Sequence, residues 1–370
     1  MGPSTSNLNI RRRIHSTFMK LPFGFGSRLI IPCLKLGLSA LRNYRPLLHF
    51  MHRRVAAIES RNIRAAIQDG ANQAIIIYDN MVSPPTYGDY LYAVILARYF
   101  IAYGIRVSFY IVDSEFQESW QVLSTQEQYE EYAAEQIRVA RSLLDSNTAT
   151  IQRISWQDCQ AKLLNRSPDS VIPFYVSVQN RVSIYNHCFN LLNQLLSEAD
   201  ERLRDQVLFS YQELAPKVEL KPVTGPYITW HCRHSQWGTD RNTEEKDFLK
   251  IHAYLRRRFP HHSVMIVSDT VGCAHYAKLA KRHYLNCLFS KDYSQTFLGD
   301  GALILGSSFF FVVRGGGIGL IPTFSKIPYE ITLPMAIAVH NETVWSKVKL
   351  TSWQSDQQLW VNNFVNTFVE

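Results

Sequence analysis

Between residues 227 and 314 short apolar runs alternate with helix-length amphipathic runs, and each apolar run ends in a polar or glycine-rich landmark. Tyr227, Ile228, Thr229 and Trp230 lead into His231 and Arg233, and residues 262–267 lead into Ser268 and Asp269. Residues 284–289 lead into Ser290 and Lys291, and Phe311, Val312 and Val313 lead into Arg314, Gly315, Gly316 and Gly317. Helices are expected over 245–258, 272–281 and 294–305. A βαβαβαβ order of this kind closes as a parallel sheet, because right-handed crossovers put every landmark on one edge. Strands buried on both faces read as continuous apolar runs, which is the pattern here.

A second, looser α/β pattern precedes it. Residues 74–78 are a continuous apolar run, followed by a loop that contains Tyr87, Gly88 and Asp89. A helix over 90–103 and a strand over 106–112 complete one βαβ unit, and Asp113 and Glu115 follow the second strand. Further elements are expected at 120–146 (helix), 150–154 (strand), 156–164 (helix), 171–178 (strand) and 185–211 (one long helix), with a linker at 214–226. The expected architecture is α/β, with two facing Rossmann-like domains, parallel sheets and a cleft between them. The domains are 65–220 and 224–345, preceded by a basic segment 1–64 and followed by a helix over 350–370 that packs back across them.

Charge is concentrated at the front of the chain. The formal net charge is +8, yet residues 1–64 hold twelve Lys or Arg against the single acid Glu59, so the remainder is slightly acidic. Apolar residues within 27–57 cluster at helical spacing between the cations, as in a basic amphipathic helix that lies on an anionic membrane surface. A helix packed on its own protein with a solvated cationic face is the other reading. No run of eighteen apolar residues occurs, so no membrane span is expected. The acidic body and the lack of an RNA-binding motif argue against a nucleic-acid partner. The six cysteines show no CxxC spacing, which favours free thiols over a metal site or disulfides. No GxGxxG follows the first strand, which argues against an NAD(P) cofactor.

Strand ends of a parallel sheet collect functional groups. In the later domain these are His231, Arg233, Asp240, Arg241, Asn242, Ser268, Asp269, Ser290, Lys291, Arg314 and the glycines 315–317. Arginine forks, glycine-exposed amides and short hydroxyls suit a diphosphate and a ribose, and the two aspartates suit sugar hydroxyls. Plainer roles compete: an N-cap for Asp269, a core position for His231, a tight turn for the glycines, a surface ion pair for Arg233. In the earlier domain, Tyr87, Gly88 and Asp89 would face an acceptor. Asp89, Asp113 and Glu115 are each candidates for a general base, with helix capping the plainer role of Asp89.

The segment His231-Cys232-Arg233, the Val267-Ser268-Asp269 strand end and the apolar strand entering Arg314 and three glycines together resemble the donor half of GT-B glycosyltransferases, closest to the fucosyltransferase-like group that uses GDP-fucose. The resemblance covers roughly 225–335. The first domain shares only its Gly88-Asp89 loop, and the residues after Arg233 form a longer loop than the group's usual Arg-Arg continuation. The resemblance implies metal-independent transfer of a sugar from a nucleotide diphosphate sugar, GDP-linked, to a glycan or lipid-linked acceptor, with no cofactor beyond that co-substrate. Arg233 would bind the donor diphosphate and a first-domain carboxylate, Asp89 or Glu115, would take the acceptor proton. The implied location is cytoplasmic, peripheral on the inner membrane face. A polysaccharide pyruvyl transferase and a non-catalytic glycan-binding scaffold of the same fold are the alternatives.

Overall fold

The computed structural model describes residues 45–80, 87–113, 125–165, 171–176, 191–234, 242–313 and 317–332. The chain divides into two compact units between Val207 and Leu208, each an α/β unit with its own parallel sheet.

The first unit opens with helix α1 (Arg45–Gln68), whose Ala56, Ser60 and Ile63 are buried at helical spacing. Strand β1 (Gln73–Asp79), helix α2 (Tyr87–Ala102) and strand β2 (Arg106–Val112) form the expected βαβ unit. Helix α3 (Gln126–Leu143), β3 (Ala149–Ile154), α4 (Trp156–Leu164) and β4 (Val171–Val176) follow. All pairings are parallel, in the order β3-β2-β1-β4. Ile75, Ile77, Tyr110 and Val112 pack under α4 through Trp156, Cys159 and Leu163. On the other face Tyr90 of α2 meets Tyr78 and Phe109 edge-on, at 5.2 and 5.7 Å between ring centres.

Helix α2 is apolar almost all round and carries one buried cation, Arg98. Its guanidinium donates to the carbonyls of Leu143 (3.0 Å), Val207 (2.7 Å) and Gln206 (3.0 Å). Those are the last carbonyls of α3 and of α5 (Glu201–Val207), groups that a helix leaves without internal partners. One buried charge thus satisfies two helix ends.

The single long helix expected over 185–211 is not formed. Within its described part, residues 191–197 are helical, the chain breaks at 198–200, α5 follows, and a short helical turn, Tyr211–Leu214, comes after a second break. Side-chain caps cause both restarts: Asp200 accepts from the Leu203 amide at 2.8 Å and Ser210 from the Glu213 amide at 3.2 Å. The expected linker 214–226 belongs to the second unit instead. Leu220 and Val223 pack against its core, and the Lys221 amide donates to the Tyr293 carbonyl at 3.0 Å.

The second unit holds β5 (Tyr227–His231), α6 (Glu245–Arg258), β6 (Ser263–Val267), α7 (Thr270–Arg282), β7 (Cys287–Phe289), α8 (Phe297–Leu305), β8 (Phe310–Val313) and β9 (Tyr329–Thr332). The sheet is wholly parallel, ordered β7-β6-β5-β8-β9. Strand β7 starts later than expected, after Tyr284 at a positive φ of 54°. Strand β9 has no counterpart among the expected elements. Helices α6 and α7 cover the face carrying Ile228 and Trp230, whereas α8 covers the face carrying Tyr227 and Met265 through Leu303. Within the first layer Phe248 lies stacked between Trp230 (5.0 Å) and Tyr276 (5.1 Å). The helix expected over 350–370, and residues 1–44 of the basic segment, lie outside the described residues.

Truncating the middle ring of that stack should leave a cavity that the sheet cannot close. Phe248→Ala is expected to lose about 3–5 kcal/mol of stability in urea unfolding, and Phe248→Leu clearly less.

Candidate functional site

The order β7-β6-β5-β8-β9 reverses direction between β5 and β8, where the carboxyl ends of neighbouring strands lead to opposite faces of the sheet. Crevices that take ligands in open parallel sheets form at such reversals. Strand β5 ends here at His231, two residues before Arg233, and β8 ends here at Val313, which precedes Arg314 in sequence. Of the expected site residues, Asp240, Arg241, Arg314, Gly315 and Gly316 lie outside the described residues. Asn242 closes the segment after Arg233, and Gly317 opens the short turn Gly317–Gly319.

His231 pairs with Val267 of β6, and its Nδ1 lies 2.9 Å from the Val267 carbonyl. A carbonyl only accepts, so Nδ1 carries the proton and Nε2 presents a lone pair. Burial, reinforced by the nearby Arg233, pushes the imidazole down to about 4, against the opposing pull of the Val267 carbonyl and Asp269. The ring is therefore neutral at physiological pH, an acceptor rather than a further cation.

Arg233 is held through its backbone. Its carbonyl accepts from the Thr243 amide at 2.9 Å and from the Tyr276 hydroxyl at 2.6 Å. Ser268 donates its hydroxyl to the Cys232 carbonyl at 2.7 Å, which ties the ends of β5 and β6 together. Asp269 caps α7, accepting from the Gly272 amide at 2.6 Å, while its carboxylate stays exposed at the sheet edge. Glycine is required at 272, because a Cβ there would stand 2.0 Å from the Ser268 hydroxyl.

Lys291 stands in a buried ion pair, its Nζ 2.6 Å from Asp300 Oδ2. Burial raises the Asp300 carboxyl to about 6, with Lys291 opposing the rise. The ammonium already faces a carboxylate, and Ser290 beside it is fully buried. Sequence reasoning passed over Asp300, although it is the one acid within the apolar helix sequence FLGDGALIL. Tyr276 was also passed over, hidden as an ordinary aromatic on the inner face of α7.

In the first unit, Tyr87 and Gly88 lie in the first turn of α2. The helix begins at Tyr87, so Asp89 is its third residue rather than its cap; the Asp89 side chain lies outside the described positions, as does all of Glu115. Asp113, at the end of β2, is 2.6 Å from the Arg153 guanidinium and 3.3 Å from the Tyr129 hydroxyl. Arg153 also holds Glu130 at 2.6 Å. Asp113 is thus the one carboxylate of the three whose partners are described, and it is engaged in an ion pair. Behind it, buried Asn80 reaches Gln136 at 3.1 Å.

No protein-family profile and no curated protein matches the chain. Among solved structures, a glycosyl transferase family 9 protein from Veillonella parvula aligns at a TM-score of 0.40 and 8% identity, over 72% of this chain and 83% of that one. The E. coli heptosyltransferase WaaC with ADP aligns at 0.40 and 12% identity, over 80% and 99%. A UDP-N-acetylglucosamine 2-epimerase-like protein from Listeria monocytogenes aligns at 0.31 and 8% identity, over 81% and 89%. Likenesses of this size fix neither substrate nor activity.

The depressed basicity of His231 sets the sign of a pH effect. Its folded value of about 4 lies below the ordinary value of 6.5, so the folded state binds fewer protons between the two. Stability is full above pH 6.5 and declines as pH falls towards 4. His231→Asn, which keeps a donor near the Val267 carbonyl, should lack this part of the decline when unfolding is followed in urea from pH 7 to pH 4.

Proposed function

We propose that the chain is a glycosyltransferase of the two-unit GT-B kind, moving a sugar from a nucleotide diphosphate sugar to a glycan or lipid-linked acceptor. The observation that carries this reading is the strand reversal between β5 and β8, with Arg233 at one strand end and Arg314 next in sequence at the other. In this reading the acceptor oxygen attacks the anomeric carbon while the bond from that carbon to the diphosphate oxygen breaks. The diphosphate leaves with the bonding electrons. Its growing charge is met by the Arg233 and Arg314 guanidinium groups. The neutral His231 offers an acceptor to a ligand hydroxyl, since a lone pair facing a phosphate oxygen would repel it.

A first-unit carboxylate, Asp89 or Glu115, takes the acceptor proton. No metal is needed where arginines neutralise the leaving group. The fucosyltransferase-like resemblance of the sequence favours a GDP-linked donor. The basic segment 1–57 holds the enzyme on the anionic cytoplasmic face of the membrane, where lipid-linked acceptors present their head groups. No helix among the described residues is long and apolar enough to cross a membrane.

A thermal-shift screen against GDP, UDP, ADP and CMP, with and without Mg²⁺, tests the donor site. One nucleoside diphosphate should raise the melting temperature by several degrees at about a hundred times its Kd, equally in EDTA. Arg233→Ala should weaken that ligand roughly tenfold to a hundredfold. If no nucleotide shifts the wild type, the donor site is misassigned. For the membrane, co-sedimentation with vesicles containing phosphatidylglycerol should retain the full chain at low salt and release it at about 0.5 M NaCl. Deleting residues 1–44 should weaken retention, and equal binding to neutral phosphatidylcholine vesicles would refute the electrostatic part.

A further inference from the structure

The residue expected to grip a diphosphate stands two positions beyond β5, and its backbone pairs with that of Thr243. An arginine in such a place is useful only if its backbone is held still, because a shift of about 1 Å at the reacting group costs far more than the bond that prevents it. The structure supplies the restraint from α7, through two successive residues.

Tyr276 lies on the inner face of α7, where its ring is the outer member of the Trp230–Phe248–Tyr276 stack. Its hydroxyl donates to the Arg233 carbonyl at 2.6 Å, and the Thr243 carbonyl lies 3.1 Å from the same oxygen. The Thr243 amide also donates to the Arg233 carbonyl, at 2.9 Å. One phenol thus bridges the backbones of Arg233 and Thr243. The neighbouring His275 holds the next residue: its ring lies flat on that of His234, 3.9 Å between centres and 8° between planes. His234 in turn meets the Tyr276 ring edge-on at 6.1 Å. Burial pushes the Tyr276 phenol well above its ordinary value, so its proton stays available for donation throughout the physiological range.

We propose that Tyr276 is a positioning residue for anion binding, acting on the ligand only through the Arg233 backbone, with His275 bracing the following residue. The proposal rests on Arg233 contacting the diphosphate. It explains why a tyrosine, rather than a phenylalanine, completes the stack: the ring alone would fill the core, and the hydroxyl alone reaches the Arg233 carbonyl.

Tyr276→Phe isolates the hydroxyl, since the ring and its stacking remain. Titration calorimetry with pyrophosphate, GDP and guanosine should show pyrophosphate and GDP weakened about tenfold, with guanosine unchanged and the urea midpoint moved little. A purely structural hydroxyl would lower the midpoint while leaving all three affinities of the folded protein as in the wild type, and that result overturns the proposal. So does an equal loss for guanosine and pyrophosphate, which would mean that the whole site is disturbed. If the wild type binds neither pyrophosphate nor GDP, the diphosphate reading itself fails, whatever the variant does. His275→Phe gives an independent check, because it keeps a flat ring on His234 and should retain wild-type pyrophosphate affinity, whereas His275→Ala should lose part of it.

Discussion

The carbonyl oxygen of Arg233 is the point at which the second unit joins its core to its surface. It accepts from a side chain buried against the sheet and from the amide of Thr243. At the carboxyl edge of a parallel sheet each strand stops pairing with its neighbours, and its last peptide groups need other partners. Ser268 does the same for Cys232, and Asp269 for the first turn of α7. The edge is therefore built from groups that have already satisfied one another. Among the described residues at this edge, the His231 ring nitrogen that does not face Val267 and the exposed Asp269 carboxylate remain for a ligand.

This explains which part of the site was legible. Strand-helix alternation with landmarks at the strand ends follows from continuous apolar runs between stretches of 3.6-fold periodicity, both written into apolar positions; α6 and α4 are found at the residues expected. The landmarks themselves were visible as residue types, but their employment was not. Lys291 reads as a cation for a phosphate until its Asp300 partner is seen, nine positions away and across a turn that no pattern predicts. Asp113 reads as a carboxylate open to solvent until Arg153, forty positions away, is seen beside it. Pairings of that reach depend on how elements pack, and packing is not a periodic property of the chain.

Element ends were misread where a side chain competes with the helix. The sequence over 185–211 suggests one continuous helix, yet Asp200 and Ser210 each capture an amide and restart the chain. Strand β9 was missed because Pro328 stands directly before Tyr329 and the run after it is short. In both cases a local hydrogen-bonding option, or the loss of one, outweighed the hydrophobic pattern.

Arg98 bears on how the first unit can be assembled. Its guanidinium is buried within an apolar helix, and two of its carbonyl partners come from residues 206 and 207, more than a hundred positions downstream. During synthesis α2 leaves the ribosome long before those carbonyls exist, so the charge has to wait in water until α5 has emerged. The unit cannot finish its core early, and its last residues act as the latch. The same bond explains why the unit ends at Val207 rather than at a flexible linker: the carbonyl of that residue is already committed to the interior.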